Sequence, residues 1–164
     1  MDQLRIGHGY DVHAFAHGDH VMICGVRIPH SRGVRAHSDG DVALHALCDA
    51  LLGAAAMPDI GQLFPDTDPA WSGADSRKLL AGVLQRLADA DLRPQHVDLT
   101  VVAEAPKLKA HVADMRAVLA SDLDLPTHRV NIKATTSEGL GAIGRQEGLA
   151  AYAVVLVAPR QTEA

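Results

Sequence analysis

The chain has 164 residues, enough for one domain with a buried core, and carries a formal net charge of −5. That charge argues against general binding to nucleic acid or to an anionic membrane, so a polyanionic ligand has to be met by locally concentrated cations. Only 3% of the residues are aromatic, the two cysteines Cys24 and Cys48 form no CxxC pattern, and neither a secretory h-region nor a membrane-length apolar run is present. We therefore expect a cytoplasmic protein with an aliphatic core and reduced thiols.

In chain order, Leu4 to Val12 and Val21 to Ile28 read as two strands with a turn at Gly18-Asp19. The first strand runs into GHGYDVHAF, Gly7 to Phe15. Residues two apart in a strand share a face, so Asp11 and His13 aim a carboxylate and an imidazole at one point. A metal site, a hydrogen-bonded pair and two surface polar residues all fit that pattern.

Next comes RGVRAHSDGDVALHALCDALLGAAAM. Ser38 or Asp39 is placed to cap a helix from about Asp41 to Met57, and Ser38 with Asp41 has capping-box spacing. The helix is apolar nearly all round, through Val42, Leu44, Leu47, Leu51 and Leu52, which predicts burial. His45 lies on it and needs a partner, because an unpaired imidazole in an apolar setting is costly. Asp49, one turn on, is in reach to orient the ring. Alternatively, His45 joins Asp11 and His13, and two histidines with one aspartate form a donor set that suits zinc and leaves a fourth position open.

Pro58 to Gly73 reads as a long loop of the kind that carries function. Ser76 to Ala90 is an amphipathic helix, Val97 to Ala103 a strand, and Pro106 leads into a helix ending near Leu123. Val130 to Thr135 and Leu149 to Ala158 are strands flanking the Gly-rich TSEGLGAIGRQEG. The order ββααβαββ predicts a single α+β domain, with a mixed sheet and helices packed on one face.

Three segments look suited to anions. His37-Ser38 stands at a helix start, Lys107 and Lys109 follow Pro106, and KATTSEG (Lys133 to Gly139) sets two threonine hydroxyls and a carboxylate beyond a strand. Ser38 as a plain helix cap, and Thr135 with Glu138 as a capping box, are the structural alternatives. No GxSxG, Walker A or CxxC pattern supplies a protein nucleophile, so a metal would orient and polarise a substrate.

Taken together, RIGHGYDVHAF, AHSDGDVALHALCDALLGAAA, DIGQLFPDTDPAWSGADSR, AEAPKL, KATTSEGLG and GRQEG span nearly the whole chain. In these stretches the sequence resembles the 2-C-methyl-D-erythritol 2,4-cyclodiphosphate synthase family of the non-mevalonate isoprenoid pathway. The resemblance implies a phosphorus–oxygen lyase. In the reaction it implies, the 2-phosphate of 4-diphosphocytidyl-2-C-methyl-D-erythritol 2-phosphate attacks the β-phosphorus and expels CMP. It also implies a homotrimer with sheets facing the trimer axis and active sites between subunits.

By matching position, Asp11, His13 and His45 would bind zinc or another divalent transition metal, Asp11 and His13 lying against the substrate as well. His37 and Ser38 would hold the substrate, and His37 with Thr136 would stabilise the transition state. Glu138 would hold Mg²⁺ or Mn²⁺ with the substrate diphosphate. Asp59 and Gly61 would contact the ribose and methylerythritol, and the loop of Phe64, Asp66 and Asp68 would close over them. Ala103, Lys107, Leu108 and Lys109, with Thr135, Thr136 and Ser137, would line the cytidine and diphosphate pocket. Ala142 and Arg145 would face a central cavity that holds an isoprenoid diphosphate in some relatives, which often carry an aromatic residue at the position of Ala142. A zinc phosphohydrolase and a trimeric scaffold are the competing readings of the same residues.

Overall fold

The structure is a computed structural model and describes residues 4–65, 67–69 and 73–160. In chain order its elements are β1 (Arg5–Ala16), β2 (His20–Ile23), β3 (Val26–Pro29), β4 (Gly33–Val34), α1 (Val42–Ala54), α2 (Ile60–Leu63), α3 (Ser76–Asp89), β5 (Leu92–Val102), α4 (Val112–Asp122), β6 (Val130–Thr135), α5 (Gly141–Gly144) and β7 (Gly148–Pro159). Five strands form one sheet in the order β4-β1-β7-β5-β6, and β2 with β3 forms a separate hairpin. β7 is antiparallel to β1 and β5, while β5 and β6 are parallel. The sheet is thus mixed, and β1, β5 and β6 all end at the same edge.

Alternation along the strands explains why the helices take one face. In β7, Leu149, Ala151, Ala153, Val155 and Val157 are buried, while Tyr152 and Val154 between them point the other way and are exposed. α1 covers β1 and β7, α3 lies beside α1 over β5, and α4 covers β6. The α+β class expected from the element order is found. Opposite the helices, Ile6, Tyr10, Val12, Tyr152 and Val154 leave an apolar sheet face bare, with the Tyr10 and Tyr152 rings 5.0 Å apart. Among the described residues, no helix is long and apolar enough to cross a membrane.

Two glycines set how α1 lies on the sheet. A Cβ on Gly7 would overlap the backbone oxygen of Ala50, and one on Gly9 that of Ala46. Helix and strand backbones therefore touch directly, through Gly on one side and Ala on the other. As β1 advances from Gly7 to Gly9, its contacts step back along α1 from Ala54 to Ala46, so the two elements are antiparallel. The same progression lays the first turn of α1, with His45, over Asp11 and His13.

Several elements differ from the sequence expectation. Val21 to Ile28 is a hairpin rather than one strand, because Cys24 (φ 51°) and Gly25 (φ 74°) make a two-residue turn between β2 and β3. The turn is held from a distance. The Asp41 carboxylate accepts from the N–H groups of Cys24 (2.9 Å) and Gly25 (2.7 Å), and also from Leu44 N–H (3.0 Å). Asp41, and neither Ser38 nor Asp39, is therefore the cap of α1. It is wholly buried; burial pushes its pKa up, and the three N–H donors oppose that shift.

β5 begins at Leu92 rather than Val97. Pro94 is tolerated there because β6 pairs only from Val97 onward, and the ladder to β7 is irregular between Pro94 and His96. The long loop contains α2, capped by Asp59, which accepts from Gln62 N–H at 3.0 Å.

Asp41→Ala leaves three N–H groups without their acceptor and unties the hairpin from α1. We expect a loss of more than about 2 kcal/mol in unfolding free energy, read from urea denaturation. A loss below about 1 kcal/mol would contradict this account of the hairpin.

Candidate functional site

Asp11 and His13 stand two residues apart on the helix-facing side of β1, and His45 reaches them from α1. Asp11 Oδ2, His13 Nε2 and His45 Nδ1 form a triangle with all three edges 3.0 Å. If both imidazoles present N–H to the carboxylate, those two N–H groups face each other across the His13–His45 edge. One cation replacing both protons removes that conflict. A tetrahedral ion with bonds of about 2.0–2.2 Å holds its donors about 3.3–3.6 Å apart, a slight opening of the triangle. Among the described residues, these three are the group able to hold a metal ion.

Electrostatics agrees with that reading. Burial pushes the Asp11 carboxyl up, but hydrogen bonds and charge from His13 and His45 outweigh it and hold its pKa well below the usual carboxylate range. For His45, burial favours the neutral ring, while the hydrogen bond and charge of Asp11, with Asp41 and Asp39 beyond, raise its pKa overall. The expected orienting role of Asp49 is not found. Its carboxylate accepts from Ile60 N–H at 2.8 Å and so ties α1 to α2. Instead, the outer nitrogen of His45 meets the hydroxyls of Ser38 (3.0 Å) and Ser76 (3.1 Å). Ser76 was missed at the level of sequence because nothing local marks a serine 31 positions away as a neighbour of His45.

The triangle opens into a cavity of about 570 Å³ lined by His13, His37, Ser38, His45, Gly61 and Phe64. Four expected contact residues thus gather beside the metal-type donors. Asp59 caps the short helix that carries Gly61. Asp68 donates its N–H to Pro65 O at 2.9 Å, and Asp66 lies outside the described residues.

A second cavity, about 190 Å³, lies where β5 and β6 end and is lined by Ala103, Pro106, Lys107, Leu108, Thr135 and Thr136. Lys109 starts the turn leading into α4 and is not among the residues lining it. Ser137 and Glu138 continue beyond Thr136, Glu138 with a left-handed backbone (φ 55°). The capping box suggested for Thr135 and Glu138 does not form: β6 runs through Thr135, and α5 starts only at Gly141. Thr136 Oγ1 accepts from Glu138 N–H (3.2 Å) and donates to the Glu138 carboxylate (3.4 Å). Glu104 anchors the loop by accepting from Ser137 N–H, Ser137 Oγ and Gly139 N–H at 3.0, 3.2 and 3.2 Å. Lys133 points away to Asp98 (2.6 Å). Just past α5, the short helix that carries Ala142, Arg145 donates to Glu147 at 2.6 Å.

Within one chain the two cavities do not merge. β7 and β5 separate β1 from β6, so the Asp11/His13 strand and the Thr135 strand lie about 14 Å apart at ordinary strand spacing. Both open at the same sheet edge.

This arrangement belongs to a known class. Residues 4–158 match the family model described as the YgbB family, and the chain belongs to that family. A relative from Methylococcus capsulatus, named 2-C-methyl-D-erythritol 2,4-cyclodiphosphate synthase, is 60% identical over 157 residues, covering 96% of this chain and 99% of that protein. The bifunctional IspDF of Campylobacter jejuni superposes with a TM-score of 0.91 at 42% identity over 95% of this chain, which spans 42% of that longer protein. The IspF of Plasmodium falciparum, solved as a CDP complex, gives a TM-score of 0.85 at 29% identity over 98% of this chain and 99% of its own.

A metal ion at the triangle must displace the proton that the raised pKa of His45 retains. Its affinity is therefore expected to weaken steadily on acidification from about pH 8 to about pH 6, seen by calorimetric titration with Zn²⁺; a flat profile contradicts the site. In the metal-free protein the sign reverses. The stability from a His45 pKa raised above 6.5 is present below that value and is lost as pH rises through the folded pKa.

Proposed function

We propose that this enzyme converts 4-diphosphocytidyl-2-C-methyl-D-erythritol 2-phosphate to 2-C-methyl-D-erythritol 2,4-cyclodiphosphate and CMP, in the cytoplasm, as one domain over residues 1–164. The observation that carries the reading is the Asp11–His13–His45 triangle opening into a cavity, in a chain 60% identical to a synthase of that name. An oxygen of the 2-phosphate forms a bond to the β-phosphorus, the bond from that phosphorus to the bridging oxygen breaks, and the electron pair leaves with CMP. A phosphate monoester is already ionised near neutral pH, so no strong base is needed and catalysis is positioning and charge neutralisation.

A divalent transition metal, such as zinc, held by Asp11, His13 and His45 would neutralise and orient phosphate oxygens, and Mg²⁺ or Mn²⁺ at Glu138 would do so at the diphosphate. His37 and Ser38 hold the phosphate and erythritol at the start of α1, and Thr136 with His37 donates to the charge that develops on the transferred phosphorus. Asp59, Gly61, Phe64, Asp66 and Asp68 enclose the sugar, while Ala103, Lys107, Leu108, Lys109, Thr135 and Ser137 take the cytidine diphosphate. The active form is a homotrimer with sheets facing its axis. Two features support that assembly: the bare apolar face of Ile6, Tyr10, Val12, Tyr152 and Val154, and two half-sites about 14 Å apart that need a neighbour to meet. In its central cavity, the phosphates of an isoprenoid diphosphate compete with Glu147 for Arg145, and Ala142 offers a small apolar contact.

The test is ³¹P NMR of the purified protein with this substrate and Mg²⁺, before and after a chelator strips the transition metal. CMP and a cyclic diphosphate should appear only with metal, with no ¹⁸O taken up from labelled water. Solvent ¹⁸O in the products would instead establish a hydrolase. Thr136→Ala should lower kcat on the order of a hundredfold with Zn²⁺ content unchanged; loss of metal along with activity would contradict its assigned role.

A further inference from the structure

We propose that Asp39 and Ser76 are positioning residues that fix His45 in the tautomer leaving Nδ1 free for a metal ion; this rests on reading Asp11, His13 and His45 as a metal site. Ser76 opens α3, and its residue is wholly buried. Its hydroxyl lies 2.5 Å from Asp39 Oδ1, and its backbone N–H donates to Asp39 Oδ2 at 3.2 Å. A carboxylate only accepts, so the single hydroxyl proton of Ser76 is directed to Asp39. Toward His45 Nε2, 3.1 Å away, the serine oxygen has only lone pairs left, and that nitrogen must carry the hydrogen.

The second hydroxyl at the same nitrogen, Ser38 Oγ at 3.0 Å, accepts from Gly40 N–H at 3.2 Å and lies 3.5 Å from Ser76 Oγ. With the Ser76 proton on Asp39, the Ser38 proton turns to Ser76 Oγ and its second lone pair faces His45 Nε2. A neutral ring protonated at Nε2 has its lone pair on Nδ1, the atom 3.0 Å from both Asp11 Oδ2 and His13 Nε2. The chain Asp39–Ser76–His45 is a carboxylate–histidine–metal arrangement with one hydroxyl inserted.

The inserted serine matters because of where it sits. Gly73 N–H donates to His37 O at 2.5 Å and Asp39 N–H to Ala74 O at 3.0 Å, so segment 37–39 is zipped to segment 73–76. The orientation of a donor on α1 is thereby set by the segment that leads into α3, across the cavity mouth that His37 and Ser38 also line.

Co²⁺ affinity, followed by the visible absorption of the bound ion, tests this on Ser76→Ala, Ser76→Thr and Asp39→Asn, with melting of the metal-free proteins measured in parallel. Ser76→Ala keeps the backbone bond to Asp39 and loses only the hydroxyl. We expect its Co²⁺ affinity to fall about 10–100-fold and Ser76→Thr to restore it to within about threefold. Asp39→Asn, which can turn the hydroxyl proton toward His45, should weaken binding by a similar factor, and it carries the test if Ser76→Ala does not fold. Co²⁺ binding by Ser76→Ala equal to that of the unsubstituted protein, with only a lower melting temperature, would reduce Ser76 to a packing role and overturn the proposal. Failure of the unsubstituted protein itself to bind Co²⁺ would overturn the metal reading beneath it.

Discussion

The direct contact of the α1 and β1 backbones, with no side chain between them at Gly7 and Gly9, is the constraint on which the rest of the molecule depends. It fixes both the distance and the antiparallel direction of the helix over the strand. Once those are set, the first turn of α1 has to lie over the second half of β1, and His45 meets Asp11 and His13. The same contact puts an almost wholly apolar helix against β1 and β7, which is why that helix can be apolar on nearly every side. A larger residue at either glycine would lift the helix and open the triangle.

Three carboxylates, Asp41 wholly buried and Asp39 and Asp49 partly so, then tie the outlying pieces to this centre. Asp41 holds the tip of the β2–β3 hairpin and caps α1 with one side chain, and Asp39 holds the start of α3. A carboxylate withdrawn from water needs donors in proportion to its burial, so each one fixes the segments that supply its N–H groups, Asp41 most strongly. In this way three parts of the chain that share no sheet pairing converge on the metal-type centre. Asp49 does the same for α2 and so positions Gly61 and Phe64 at the cavity.

Charge explains the rest of the design. The chain is acidic overall, yet the ligand proposed for it carries several phosphate charges. Basic side chains are sparse around the two cavities, with His13, His37, His45 and Arg35 at one and Lys107 at the other. Divalent cations at Asp11–His13–His45 and at Glu138 would supply the missing positive charge at the points where phosphate oxygens sit.

The sequence by itself determined the mixed α+β architecture, the buried amphipathic and apolar helices, and the shared face of Asp11 and His13. These follow from periods of two and 3.6 residues, which are local properties. The grouping of His37, Ser38, Gly61 and Phe64 around the triangle was legible only through long motifs, because no local rule relates residues so far apart. Tertiary structure alone decided which aspartate caps α1, since Asp39 and Asp41 are equally good caps and only Asp41 also faces the Cys24–Gly25 turn. It decided that Val21 to Ile28 folds back on itself, because a left-handed Cys24 is stabilised by a carboxylate sixteen and seventeen positions away rather than by its neighbours. And it decided that the ring of His45 is oriented by Ser38 and Ser76 instead of Asp49, whose carboxylate is already engaged by the Ile60 N–H.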